Sequence, residues 1–182
     1  MAGLLQHNAG RHPELAGMIN EAVSQVHAIA QVYGLQVGVD GPLRVVLALR
    51  AIALSVQRTF GRSIAVEIGQ AGADDFVLPE AESIPIALTI NELLTNAVKH
   101  GTEGVVRCSA APLERGLAIT VANPGQLRAG FNLAQMPGAL SGLGLVRALL
   151  PRHHAQLSIE QEGSEVVARI ELREPSVLRQ PI

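Results

Sequence analysis

Asn91-Glu92-Leu93-Leu94-Thr95-Asn96-Ala97-Val98-Lys99-His100-Gly101 is the stretch whose reading decides the fold. On a helix at 100° per residue with Glu92 at zero, Asn96 falls at about 40°, Lys99 at about 340° and His100 at about 80°. Ile86, Ile90, Leu93, Leu94, Ala97 and Val98 fall between about 100° and 240°. One face is built for a core. The other lines up a carboxylate, a carboxamide, an ammonium and an imidazole, not the Glu/Lys alternation of a solvated face. Gly101 supplies the stop.

Working outward, the central helix is expected from Ser83 or Ile84 to His100, with Pro85 tolerated in its first turn because that N–H would have no partner there. Upstream lie two short strand patterns, Ser63 to Ile68 and Phe76-Val77-Leu78 before Pro79. Before them a helix is expected from about Leu43 to Phe60, with Pro42 near its start. From His12 to Tyr33 the apolar stripe Leu15, Met18, Ala22, Val26, Ile29, Tyr33 steps by three and four, so a long helix with a helical partner is expected. Gly34 and Val37-Gly38-Val39-Asp40-Gly41-Pro42 end it as a linker.

Downstream of Gly101, residues 104–110 and 117–122 read as two strands. Asn123-Pro124-Gly125 is a turn, and a loop-like stretch follows to Ala139. Gly142-Leu143-Gly144 opens a helix of about nine residues. Residues 156–162 and 165–172 form a last hairpin across Gly163-Ser164, and the tail from Pro175 shows no pattern. Short turns between strand pairs predict a mixed, mainly antiparallel sheet with helices on one face, an α+β two-layer sandwich preceded by a long N-terminal helix.

The chain is 48% hydrophobic and 16% charged, so it can bury a sizeable core. Four aromatic residues and a net charge of −2 exclude a base-stacking platform and a strongly basic surface, so no nucleic-acid role is expected. The single cysteine, Cys108, excludes an intrachain disulfide, sets the cytoplasm as the expected compartment and reads as a packing residue. No membrane span or signal peptide is expected. The adjacent His153 and His154 lack a third ligand and read as surface.

Three elements converge on a nucleotide. On the central helix, the carboxylate of Glu92 can serve as general base, and the amide oxygen of Asn96 suits Mg²⁺. Glycines at Gly142 and Gly144, flanking Leu143, let a polyphosphate approach the backbone at a helix N-terminus. The strand end at Asn123-Pro124-Gly125 can hold a side chain facing a ligand.

In this order the residues resemble the ATP-binding domain of sensor histidine kinases, part of the gyrase, Hsp90, histidine kinase and MutL superfamily with the Bergerat fold. The resemblance runs from about Pro42 to Leu172 and is most specific in Ile84-Pro85-Ile86-Ala87-Leu88-Thr89-Ile90 and the eleven residues after it, which look like that family's N box. It implies Asn96 as the Mg²⁺ ligand, Glu92 as the acid or base near the γ-phosphate, and Lys99 and His100 beside the phosphates. It also implies that Gly142, Leu143 and Gly144 form the second glycine box, and residues 124–141 an ATP lid in which Phe131 stands for a lid phenylalanine. Asn123 and Gly125 fall on the first glycine box. There the family usually has an aspartate that accepts the adenine amino group, and an amide oxygen can accept the same bond. The lid is short and poor in glycine.

The resemblance divides the chain into residues 1–41 (the end of a dimerisation and phosphoacceptor region with its linker), 42–174 (the ATP-binding domain) and a tail, 175–182. His12-Pro13-Glu14 looks like the family's Asp-Pro-Glu before the heptad helix, but no His-Arg-x-Lys-Asn box stands upstream of it. His7 is the candidate phosphoacceptor; otherwise the box is missing from this chain. His27 reads as a core or interface histidine. The implied function is transfer of the ATP γ-phosphoryl to a histidine and on to an aspartate of a response-regulator receiver domain, in a homodimer joined through the N-terminal helix. Two alternatives stay open: a degenerate or partner-dependent nucleotide-binding module on the same fold, and a serine kinase of the anti-sigma-factor type.

Overall fold

The structure is a computed structural model that describes residues 22–23, 25–30, 33–34, 42–68, 71–135, 142–151 and 153–180. The helix expected over residues 12–33 falls mostly outside these residues, as do the linker at 35–41, His7 and residues 136–141 of the expected lid. The described residues between 22 and 34 are helical. There Val23 and Ala28 are buried, while Val26 and Tyr33 of the stripe are 39% and 57% exposed.

Strand β1 (Leu43–Arg44) leads directly into helix α1 (Val45–Phe60). The first two residues of the expected helix are therefore a strand, because they pair antiparallel with Val77 and Leu78. Along α1, Val45, Leu49, Ile52 and Val56 recur at helical spacing and are buried, each contributing about 1.5–3 kcal/mol. Gly61 ends the helix in the left-handed conformation at φ 69°, its N–H donating to Gln57 O at 2.8 Å.

Strand β2 (Ile64–Glu67) and a single 3₁₀ turn, Ala73–Asp75, precede β3 (Phe76–Leu78). Helix α2 (Glu80–His100) starts earlier than the sequence suggests. Pro79 opens it, and Glu80 and Glu82 place negative charge in the first turn, where the helix dipole favours it. Pro85 therefore sits in the second turn, not the first. The carbonyl it leaves without a helical partner belongs to Ala81, an exposed residue that water can reach.

Strands β4 (Val106–Leu113) and β5 (Gly116–Pro124) form a hairpin with Leu113 opposite Gly116, a tighter turn than expected. A 3₁₀ turn at Leu133–Gln135 precedes α3 (Gly142–Leu149), and β6 (Ala155–Glu162) and β7 (Glu165–Arg173) form the last hairpin. The tail, patternless in the sequence, carries β8 (Leu178–Arg179), and Val177 before it is fully buried.

Among the described residues, five strands make the main sheet in the order β2-β4-β5-β7-β6. There β2 and β4 are parallel and the other pairs are antiparallel. Period-2 alternation turns Cys108, Val121, Ala168 and Ile159, aligned in one row across four strands, toward one core with α1, α2 and α3. The intervening row, Ser109, Thr120, Arg169 and Ser158, lies on the opposite face and is only partly buried. The expected mixed sheet with helices on one face is what the chain forms. A second sheet, β1-β3-β8, joins three segments far apart in sequence.

Candidate functional site

Helix α2 buries Ile86, Ile90, Leu93, Leu94, Ala97 and Val98 against the core, as the wheel predicts, and Ala87 with them. It also buries Asn91, Glu92 and Thr95, which are 3%, 6% and 2% exposed. A carboxylate this deep needs compensation. Asn96 Nδ2, one turn on, donates to Glu92 Oε1 at 2.8 Å. The start of α3 supplies more: a Cβ on Gly142 would overlap the Glu92 carboxylate, so the carboxylate sits against the positive end of that helix. Gly142 is a glycine because Glu92 occupies the space beside it. Thr95 Oγ1 is the buried side-chain polar atom left without a hydrogen bond among the described residues.

Because the Asn96 amide nitrogen is committed to Glu92, its Oδ1 is the atom directed away from the carboxylate. That oxygen is a hard donor of the kind Mg²⁺ prefers. Lys99 and His100 are both exposed in the last turn. Lys99 Nζ lies 5.7 Å from the Phe60 ring centre, which places its charge on the α1 side of the helix. At the start of α3, Leu143 is half-buried between Gly142 and Gly144, both of which are buried.

Where α2 ends, Gly101 stops the helix as expected, with φ −70° and ψ 148°, an extended backbone and not the left-handed conformation common at helix ends. Its glycine is required by close approach. A Cβ there would lie 2.5 Å from Ala97 O and 2.7 Å from Asn123 Nδ2. The end of α2 is thus pressed onto Asn123-Pro124. Thr102 N donates to Pro124 O at 2.8 Å, and Asn123 Nδ2 donates to the same oxygen at 3.0 Å. Asn123 is 6% exposed at the end of β5, the most buried strand of the sheet. On the far side, Gly125 N donates to Ser164 O, and Gln161 Nε2 donates to Gly125 O at 3.1 Å while Gln161 Oε1 accepts from Leu127 N.

Two residues of this assembly carry no signal in the sequence. Gln161 is one polar position in an alternating strand. Arg62 lies between a helix and a strand, in Phe60-Gly61-Arg62-Ser63. The structure gives Arg62 several carbonyl partners at the end of α2.

Phe131 is half-buried, its N–H donating to Arg128 O at 2.9 Å. His153 and His154 are exposed, their rings edge to face at 6.4 Å. Burial pushes the Cys108 thiol up to about 12, so it packs and does not attack. No helix among the described residues is long and apolar enough to cross a membrane.

No protein-family model matches the sequence, and no curated protein matches it. Solved structures do. The blue-light activated histidine kinase EL346 of Erythrobacter litoralis superimposes with a TM-score of 0.69 at 21% identity, covering 94% of this chain and 58% of that one. The catalytic domain of histidine kinase ThkA gives 0.59 at 16% identity, covering 74% of this chain and 95% of that domain. The histidine kinase AdeS of Acinetobacter baumannii gives 0.57 at 13% identity, over 89% of this chain and 81% of the other. The chain has the fold of a histidine kinase ATP-binding domain and spans a little over half the length of the EL346 chain.

Proposed function

We propose that the chain is the ATP-binding catalytic core of a two-component sensor histidine kinase, with residues 42–174 as the nucleotide-binding unit and residues 1–41 as the end of the dimerisation region. The observation that carries this reading is the Glu92–Asn96 pair. A buried carboxylate and an amide are joined at 2.8 Å on a helix whose end is locked to Asn123.

The residues fit a magnesium nucleotide. Asn96 Oδ1 would hold Mg²⁺, and Asn123 Oδ1 would accept from the adenine amino group while its Nδ2 is bonded to Pro124 O. Gly142, Leu143 and Gly144 would offer backbone N–H groups to the phosphates, and Gly125 gives the base room. When bound, Mg²⁺ neutralises charge on the phosphate oxygens. Glu92 serves as acid or base for the histidine that receives the phosphoryl group, and Lys99 and His100 add positive charge at the rim. The N–P bond to imidazole forms as the bond from the γ-phosphorus to the β–γ bridging oxygen breaks and ADP leaves. The phosphoryl group then passes to an aspartate of a response-regulator receiver domain. The unit works in the cytoplasm as a homodimer joined through the N-terminal helix.

A degenerate nucleotide-binding module is the second reading, favoured by Asn123 in place of an acid. Calorimetry with ATP–Mg²⁺ and assay of acid-labile phosphohistidine separate the two. Binding with transfer that Asn96→Ala abolishes supports the kinase. Binding without transfer to any histidine, in this chain or one supplied in trans, leaves the module. Full transfer by Asn96→Ala would overturn the assignment, and acid-stable phosphoserine would point to the anti-sigma-factor type of kinase.

A further inference from the structure

Arg62 reaches across from the start of β2 to the end of α2. Its Nη1 donates to Val98 O at 2.8 Å and to Gly101 O at 2.9 Å, its Nη2 donates to Thr102 O, and Nε and Nη2 each lie 3.4 Å from Gly104 O. A planar guanidinium with five donors can serve several carbonyls at once, and a positive charge belongs at the negative end of a helix. The peptide it grips, residues 101–104, is the one that presses on Asn123-Pro124. Besides the Gly101 approach and the bond from Thr102, a Cβ on Gly104 would lie 2.8 Å from Pro124 Cγ. Arg62 stands behind this loop, and Asn123 stands in front of it.

We propose that Arg62 is the positioning residue of the purine-reading turn. By fastening the Val98–Gly104 carbonyls it holds the loop that sets Pro124, and through Pro124 it fixes the Asn123 carboxamide with Nδ2 turned inward and Oδ1 toward the base. This rests on the reading of Asn123 as the adenine contact. It adds that recognition of the amino group depends on a side chain that touches no part of the nucleotide.

The test compares ATP with inosine triphosphate, which lacks the amino group, by calorimetry of the whole chain with Mg²⁺ at 25 °C. In the wild type, ATP binds about tenfold more tightly than inosine triphosphate. Arg62→Ala removes most of that ratio by weakening ATP and leaves inosine triphosphate within about twofold. Arg62→Lys keeps the charge but not the fork, and lands between them. A merely structural role lowers the melting temperature and leaves the ratio intact, which would overturn the proposal. If Arg62→Ala does not fold, Arg62→Lys decides: a ratio equal to wild type overturns it. A wild type that binds neither nucleotide sinks the functional reading and this proposal together, whereas a wild type that discriminates and variants that discriminate equally sink only this one.

Discussion

Helices α1 and α2 pack against each other under the same sheet, and they bury different chemistry. Every buried residue of α1 is apolar, from Val45 to Val56. Over a comparable length α2 buries Ser83, Thr89, Asn91, Glu92 and Thr95 among its aliphatic residues. Ser83 and Thr89 are explained locally, their hydroxyls donating to Glu80 O and Pro85 O at 2.8 and 2.9 Å. Glu92 takes a bond from Asn96, a side chain of the candidate site, and Thr95 Oγ1 has none among the described residues. An unpaired buried hydroxyl costs about 1–3 kcal/mol, and a carboxylate at 6% exposure costs more unless it is compensated. A helix selected only for stability has no reason to carry either. α1 holds the domain together, and α2 spends some of that stability on a polar site.

That contrast can be broken most decisively at Asn96. Asn96→Ala should lower phosphoryl transfer by about a hundredfold or more in a radiolabel assay, and loss of its bond to the buried Glu92 carboxylate should cost about 1–3 kcal/mol of stability. Ile52→Ala in α1 should cost more stability and leave transfer per folded molecule intact. A fully buried isoleucine truncated to alanine costs about 2–5 kcal/mol in denaturant unfolding, and nucleotide affinity per folded molecule stays as it was.

Cys108 sits in the core that both helices cover, and its raised pKa means that alkylation near neutral pH requires opening. Ile52→Ala should therefore speed its labelling by iodoacetamide strongly, and more than Asn96→Ala does. Gly142→Ala tests the partner of α2. A methyl there meets the Glu92 carboxylate, so stability should fall by about 1–3 kcal/mol, and nucleotide affinity should fall with it. The smallest effect belongs to the outer side of α1. Leu54 is 46% exposed, and Leu54→Gln should change unfolding free energy by no more than about 0.5 kcal/mol. A large effect there would mean that α1, too, carries a second task.

The contrast between the helices is legible in the sequence because both follow a helical period over more than four turns, and the acid-amide-imidazole face has no solvation rationale. The main sheet is legible because its strands alternate and its hairpins carry Gly-Ser or Glu-Arg-Gly turns. The termini of these elements are not. Leu43-Arg44 has no strand signature of its own and becomes β1 only because Val77 and Leu78 lie beside it. Gly101 is recognisable as a stop, but not the reason for it. A left-handed cap and a close approach both select glycine, and only the position of Asn123 tells them apart. Arg62 and Gln161 are invisible for the same reason. Their function consists of backbone carbonyls and N–H groups that the fold brings to them from some forty residues away and from the far side of a turn.

Strand β3 has β1 on one side and β8 on the other, and Val77 pairs with Leu178 101 residues later in the chain. During synthesis this order sets a timetable. The ribosome has delivered α1, α2 and all five strands of the main sheet before the last neighbour of β3 exists. At ordinary elongation rates of about 5–20 residues per second, that edge waits about 5–20 seconds between its own synthesis and that of its partner. For that interval Phe76 and its neighbours present an open strand edge to whatever is near. Arrival of residue 179 closes it, with Arg179 pairing to Asp75 at 3.2 Å and lying over Phe76. Chains ending just before and just after β8 should therefore differ in their susceptibility to protease near Phe76.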